Sequence, residues 1–205
     1  MRSLRLPVSE HTLRPWRIHE LTPDFKVEDV WALPTPGGPH DFPQLVQLLI
    51  SQDPTSHSPI AVRALFAMRT LLGKILRLDE RDTGVGRRVS SLRDRLPEDL
   101  ADAATGPTPE ALPFNPLFML QDEWAGEAAN RTMHGVLHLG WVRDEAGGYR
   151  GQMAVLVKPN GLFGEAYMAA IKPFRYLIVY PLIIRGLERR WRHKRLVDRA
   201  GTMPA

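Results

Sequence analysis

Cysteine is absent from all 205 positions, which excludes a disulfide scaffold, a thiol nucleophile and thiolate ligands for zinc or an iron–sulfur cluster. A reducing, cytoplasmic location is the expectation that fits this composition. Long apolar runs are missing as well. The longest, Phe174 to Leu187, is broken by Arg175 and Arg185 and falls short of the roughly 20 residues that span a bilayer, so no transmembrane segment is expected. The basic start MRSLRLPVSEHTLRPWR lacks the apolar stretch and small-residue cleavage site of a secretory signal. Gly84 and Gly86 form GVG without the later glycine of a dinucleotide fingerprint or the ending of a phosphate loop. Ser90 and Ser91 lack the glycine-flanked elbow of a serine nucleophile.

Lysine is scarce, 5 against 22 arginines, and the net charge of +4 belongs to one place. Between Arg185 and Arg199 seven cations meet only Glu188 and Asp198, so the rest of the chain is close to neutral. A nucleic-acid binder carries its excess on the folded body or a recognition element, and neither is visible. No nucleic-acid partner is expected. The cations suit the C-terminal end of a helix, where they meet the negative end of its dipole.

With 43% hydrophobic residues, the chain is long enough for one sizeable core. A single domain over 1–205 is expected: an arm over 1–15, a core over 16–194 and a tail over 195–205. Phe25, Val27, Val30, Trp31 and Leu33 anchor a first strand, near 25–33, stopped by PTPGGP at Pro34 to Pro39. Asp41 caps a short helix near 41–50, with Pro43 in its first turn. The segment IAVRALFAMRTLLGKILRL predicts an amphipathic helix near 59–77, and the glycine-, proline- and charge-rich stretch 81–113 predicts an exposed, irregular connection containing one short helical turn. Alternation then predicts strands near 116–128, 130–142, 149–158 and 163–171, followed by an apolar helix near 173–193 that Pro181 bends or divides. The order implies an α+β fold in which a curved antiparallel sheet packs around a long C-terminal helix.

Polar groups in the strand region are the candidates for chemistry. A period of two puts His134, Val136 and His138 on one face and Leu137, Leu139 and Trp141 on the other. Two histidines four apart on a strand are about 13 Å apart, too far to share one ion, so no metal site is expected from them. Glu123 and Glu127 likewise share a face, each able to meet Tyr167 or a histidine of a neighbouring strand. The bland alternative leaves one glutamate in solvent and pairs the other with arginine or backbone.

The residues EWAGEAANRTMHGVLHLGWV and GEAYMAAIKPFRYLIVYPLIIRGLERRW resemble the bacterial DUF2867 family. The earlier DFKVEDVWALPTPGG and AVRALFAMRTLLGKILRLD are similar to its N-terminal segments, so the resemblance covers most of 16–194. That family in turn resembles the START/polyketide-cyclase-like (SRPBCC) group, which implies a helix-grip fold that often encloses a hydrophobic ligand. No catalytic residue comes with the resemblance and no cofactor is expected. The expected function is binding of a small hydrophobic molecule or lipid between the sheet and the C-terminal helix. Trp124, Glu127, His134, His138, Met153, Tyr167, Phe174 and Tyr180 are the candidate lining residues. The alternative is a cyclase- or hydratase-like enzyme using Glu123, His134, His138 or Tyr167 as acid and base. A third reading, peripheral membrane contact through the basic C-terminal helix, requires an exposed apolar patch beside the cations.

Overall fold

A computed structural model describes residues 4–50, 84–86, 89–108, 114–130 and 132–201. The helix expected near 59–77 lies outside the described residues. The architecture is α+β: five antiparallel strands form one curved sheet against which a long C-terminal helix packs, the helix-grip arrangement. The strands are β1 (Lys26–Ala32), β2 (Asn115–Met119), β3 (Glu123–Ala129), β4 (Met133–Arg143) and β5 (Tyr149–Pro159), in spatial order β1-β5-β4-β3-β2. Short helices α1 (Ser9–Thr12) and α2 (Ile18–Leu21) punctuate the N-terminal arm, α3 (Phe42–Ile50) follows β1, and α4 (Glu98–Ala101) follows a 3-10 turn over Leu92–Arg95.

Strands β1, β4 and β5 and helix α3 form close to where alternation and capping place them. Two expectations fail for local reasons. The strand foreseen over 116–128 is a hairpin, because the chain turns at Leu120, whose N–H donates to the Glu123 carbonyl at 2.7 Å. The strand foreseen over 163–171 is a helix, α5 (Gly161–Phe174). Gly161, at φ +69°, turns the chain out of β5, and EAYMAA is built from good helix formers whose propensity overrides the apparent alternation. Gly164 permits the close approach that follows: a Cβ there would stand 2.2 Å from the Thr132 carbonyl oxygen.

Helix α5 runs through a π-turn (Arg175–Val179) into α6 (Tyr180–Gly201). Pro181 thus interrupts the regular ladder as expected, since it lacks an N–H and crowds the Leu177 carbonyl one turn back, inside the widened turn. In an unbroken α-helix Ile184 and Trp191 would share Leu177's outward face. The extra residue rotates them inward, and they are 3% and 1% exposed while Leu177 is 76% exposed.

The sheet is covered on both faces. On one, Trp31, Leu137, Leu139, Trp141 and Met153 form a cluster with α3 and with Tyr180, Ile184, Leu187 and Trp191 of α6. Trp191 and Trp141 donate their indole N–H groups to the carbonyls of Pro36 (3.1 Å) and Gly38 (2.9 Å), so PTPGGP is bound between sheet and helix. The other face is covered by the arm and by residues 89–101. Trp16, Ile18, Leu21, Leu92 and Leu100 pack there against Ala125, Val136, Ala154 and Leu156. Within the stretch 81–113, expected as an exposed connection, the described residues Leu92 and Leu100 therefore supply part of a core, from two short helical turns where one was foreseen. The arm also lines the free edge of β1: Leu6 N–H donates to Val30 and Ala32 N–H to Leu4.

Candidate functional site

Alternation along β3 and β4 turns Glu123, Glu127, His134 and His138 to the arm-covered face. The register pairs Glu127 with Val136 and Glu123 with Gly140, so each glutamate meets, diagonally, the histidine two residues before its direct partner. Glu127 lies 2.8 Å from His134 Nε2, and Glu123 lies 3.1 Å from His138 Nε2. All four side chains are buried. The reading in which one glutamate faces solvent does not hold, because the arm and the 89–101 segment close over both.

Each carboxylate also accepts from the segment above it. Glu127 takes a short hydrogen bond from the Ser91 hydroxyl and one from Leu92 N–H at 3.0 Å. Burial pushes the Glu127 carboxyl upward, but the bonds from His134, Ser91 and Leu92 outweigh it and hold it below the usual carboxylate range. Glu123 takes Arg17 N–H at 2.9 Å and Ile18 N–H at 2.8 Å, fastening the arm at the start of α2. On the surface, Arg17 bridges to Asp99 and Arg95 to Asp24, tying the two covering segments to one another.

Beyond its glutamate, His138 continues the network. Its Nδ1 is 3.1 Å from His11 Nε2, and His11 Nδ1 is 3.2 Å from His19 Nε2. A carboxylate only accepts, so His138 carries a proton on Nε2. A neutral His138 then accepts at Nδ1 from His11, which accepts in turn from His19. Burial comes first, and the nearness of His138, His19 and Arg14 further disfavours a charge on His11, lowering it to about 2, so it is neutral at ordinary pH. Burial and His138 lower His19 too. The indole of Trp16 covers His138 with ring centroids 5.2 Å apart and presses against Gly140, where a Cβ would meet it at 2.7 Å. The result is a line of three imidazoles running from a buried carboxylate toward the surface.

That line ends at a recess of about 170 Å³ lined by Thr12, His19, Thr22, Pro23, Phe25, Val27 and Leu156. Phe25 meets the His134 ring edge-on at 5.1 Å, so the recess borders both Glu–His pairs. Its floor is apolar, and its imidazole edge is His19. A linear array does not chelate: among the described residues no three His, Asp or Glu side chains are grouped to hold a metal ion.

The eight residues expected to line one cavity divide between the two faces. Glu127, His134 and His138 lie on the arm side, away from the C-terminal helix. Trp124, Met153 and Tyr180 belong to the helix-side cluster. Phe174 is half-buried on α5, and Tyr167 lies on the same helix with its side chain outside the described set. Tyr180 is engaged at the sheet: its hydroxyl donates to Asp29 at 2.7 Å, beside short contacts from Arg175 and Tyr176. A bulge at Glu28 turns Asp29 to the helix side, since the register slips between Val27 and Asp29. Burial, with the Asp29 carboxylate, pushes Tyr176 up to about 12. Sequence reading missed His11 and His19, which sit in an arm without periodicity, and Asp29, whose direction depends on the bulge.

Comparison with known proteins gives one result. A family model described as Protein of unknown function (DUF2867) matches residues 21–182, and the chain belongs to that family. Glu123, Glu127, His134 and His138 fall within the matched span, whereas His11 and His19 precede it. No curated protein and no solved structure matches the chain.

Proposed function

We propose that the protein binds a small, largely apolar molecule, as the helix-grip architecture suggests, but on the arm-covered face of the sheet rather than between the sheet and the C-terminal helix, where core side chains pack together. The observation that carries the reading is the recess with an apolar floor of Phe25, Val27 and Leu156 and a polar edge at His19. At about 170 Å³ it is smaller than the roughly 300–1,000 Å³ of sites for drug-sized molecules, and it suits a ligand of fragment size. One hydroxyl on such a ligand finds its partner in His19, whose Nδ1 takes no part in the imidazole line.

A second reading, acid–base catalysis on such a molecule, is favoured by the line itself. A proton accepted at His19 passes ring to ring toward Glu123 through contacts of 3.2, 3.1 and 3.1 Å, each ring gaining a proton on one nitrogen and giving one up from the other. Ligand-observed NMR with phenol and cyclohexanol tests the site. The expected result is saturable binding that shifts the His19 ring and is lost when Thr12→Trp closes the mouth. Absence of saturable binding, or binding indifferent to both Thr12→Trp and His19→Gln, overturns the assignment. Proton exchange on binding, measured by calorimetry in buffers of different ionisation enthalpy, favours the catalytic reading.

A further inference from the structure

The outward side of the C-terminal helix changes chemistry at the π-turn. Along α5 and the turn, Leu162, Ala166, Ala169, Ala170, Pro173 and Leu177 recur at helical spacing and all are exposed, Leu162 by 83%. With the extra residue counted in, the same face continues into Arg185, Arg189 and Arg192, which are exposed as well, with the half-buried Glu188 among them paired to Arg192. An apolar strip and a basic strip thus lie end to end on one side of one helix. From Gly164 to Val197 the helix is long and apolar enough to cross a membrane, and only 24% of its most apolar window is buried. The expectation of no such segment rested on the run Phe174 to Leu187, which Arg175 and Arg185 interrupt, whereas the helix that carries it extends well beyond both ends.

We propose that this face docks on the surface of an anionic lipid bilayer, the apolar half entering the acyl boundary and the arginine half meeting lipid phosphates. Charge complementarity selects the partner, because apolar side chains followed in line by cations match the sequence of environments at such a surface. Entering at a tilt from its apolar end, rather than spanning, follows from the opposite side of the helix. Tyr180, Ile184, Leu187 and Trp191 are built into the sheet cluster, and Trp191 is hydrogen-bonded to Pro36. Crossing the bilayer would strip the sheet of that cover, whereas docking uses only side chains that already face outward.

Co-sedimentation of the full chain with vesicles tests this, comparing phosphatidylcholine alone with phosphatidylcholine containing phosphatidylglycerol. The expected result is binding to the anionic vesicles only, weakened by salt. It falls about tenfold in the Leu162→Glu/Leu177→Glu protein and comparably in Arg185→Glu/Arg189→Glu. Both pairs of positions are exposed, and unchanged thermal melts confirm that the variants fold. Wild-type protein left in the supernatant overturns the proposal. So does equal binding to neutral vesicles, release by detergent but not by alkaline carbonate, or self-association through Leu177 without vesicle binding.

Discussion

Two glutamate–histidine pairs sit side by side on one face of one hairpin, made by the same diagonal offset, and they do different things. Glu127–His134 is closed: its remaining acceptors are used by Ser91 and Leu92, and the His134 ring is covered by Phe25. Glu123–His138 is open, because His138 hands on to His11 and His19 and so to the recess. Strand register alone makes the pairs equivalent. The segments laid over them make one a clamp and the other the start of a line of imidazoles.

The largest expected effect breaks both pairs. Glu123→Ala leaves two backbone N–H groups and an imidazole donor buried without acceptors, and Glu127→Ala strands Ser91, Leu92 and His134. Each should cost about 3–5 kcal/mol in urea unfolding. Hydrogen exchange then separates them: Glu123→Ala should loosen residues 4–21 and Glu127→Ala residues 89–101. Loosening of both segments by either change would dissolve the distinction.

Acid should distinguish the pairs next. His11 titrates near 6.5 when unfolded and near 2 when folded, so between those values the unfolded chain binds more protons and stability falls as pH falls. The slope is up to about 1.4 kcal/mol per pH unit. Glu127 has a lowered folded value, so its contribution is present above its unfolded 4.5 and is lost as pH falls through the folded value. Stability measured against pH should decline in two stages, with His11→Gln shrinking the upper, which His19 shares, and Glu127→Gln shrinking the lower, which Asp24 and Asp99 share. A wild-type profile that is flat from pH 6.5 to 5 would contradict the neutral His11.

Smaller effects sharpen the contrast. Ser91→Ala should cost about 1–2 kcal/mol in the same unfolding measurement, the price of one hydrogen bond to a charged acceptor. Its nitrogen-15 spectrum should keep the His138 ring signals in place. His11→Gln should move the His138 ring nitrogens and leave those of His134 unmoved. Equal movement of both rings would mean that the pairs communicate and that the closed one is not closed.

The hairpin half of this site was legible in advance. Two glutamates four apart and two histidines four apart, on strands of period two, fix which side chains share a face, and antiparallel pairing brings them together. The other half was not legible. His11 and His19 lie in an arm whose two helices have four residues each, and their place is set by where Glu123 catches the backbone at Arg17 and Ile18. Similarly, Asp29 faces the C-terminal helix because of one extra residue in β1, and a single-residue slip reverses every facing derived from alternation. The helical character of 161–174 was hidden because a short apolar segment with small residues satisfies both periods, and Gly161 decides between them.

His11 and His138 stand 127 positions apart in the chain. Contacts across such a separation carry a large loop-closure cost, so they belong to the last steps of folding, after the β3–β4–β5 meander has formed from near neighbours. Substitutions at His11 should therefore accelerate unfolding while leaving the refolding rate nearly unchanged, a split that stopped-flow measurements resolve. The arm's imidazoles govern how long the folded molecule lasts more than how fast it is reached.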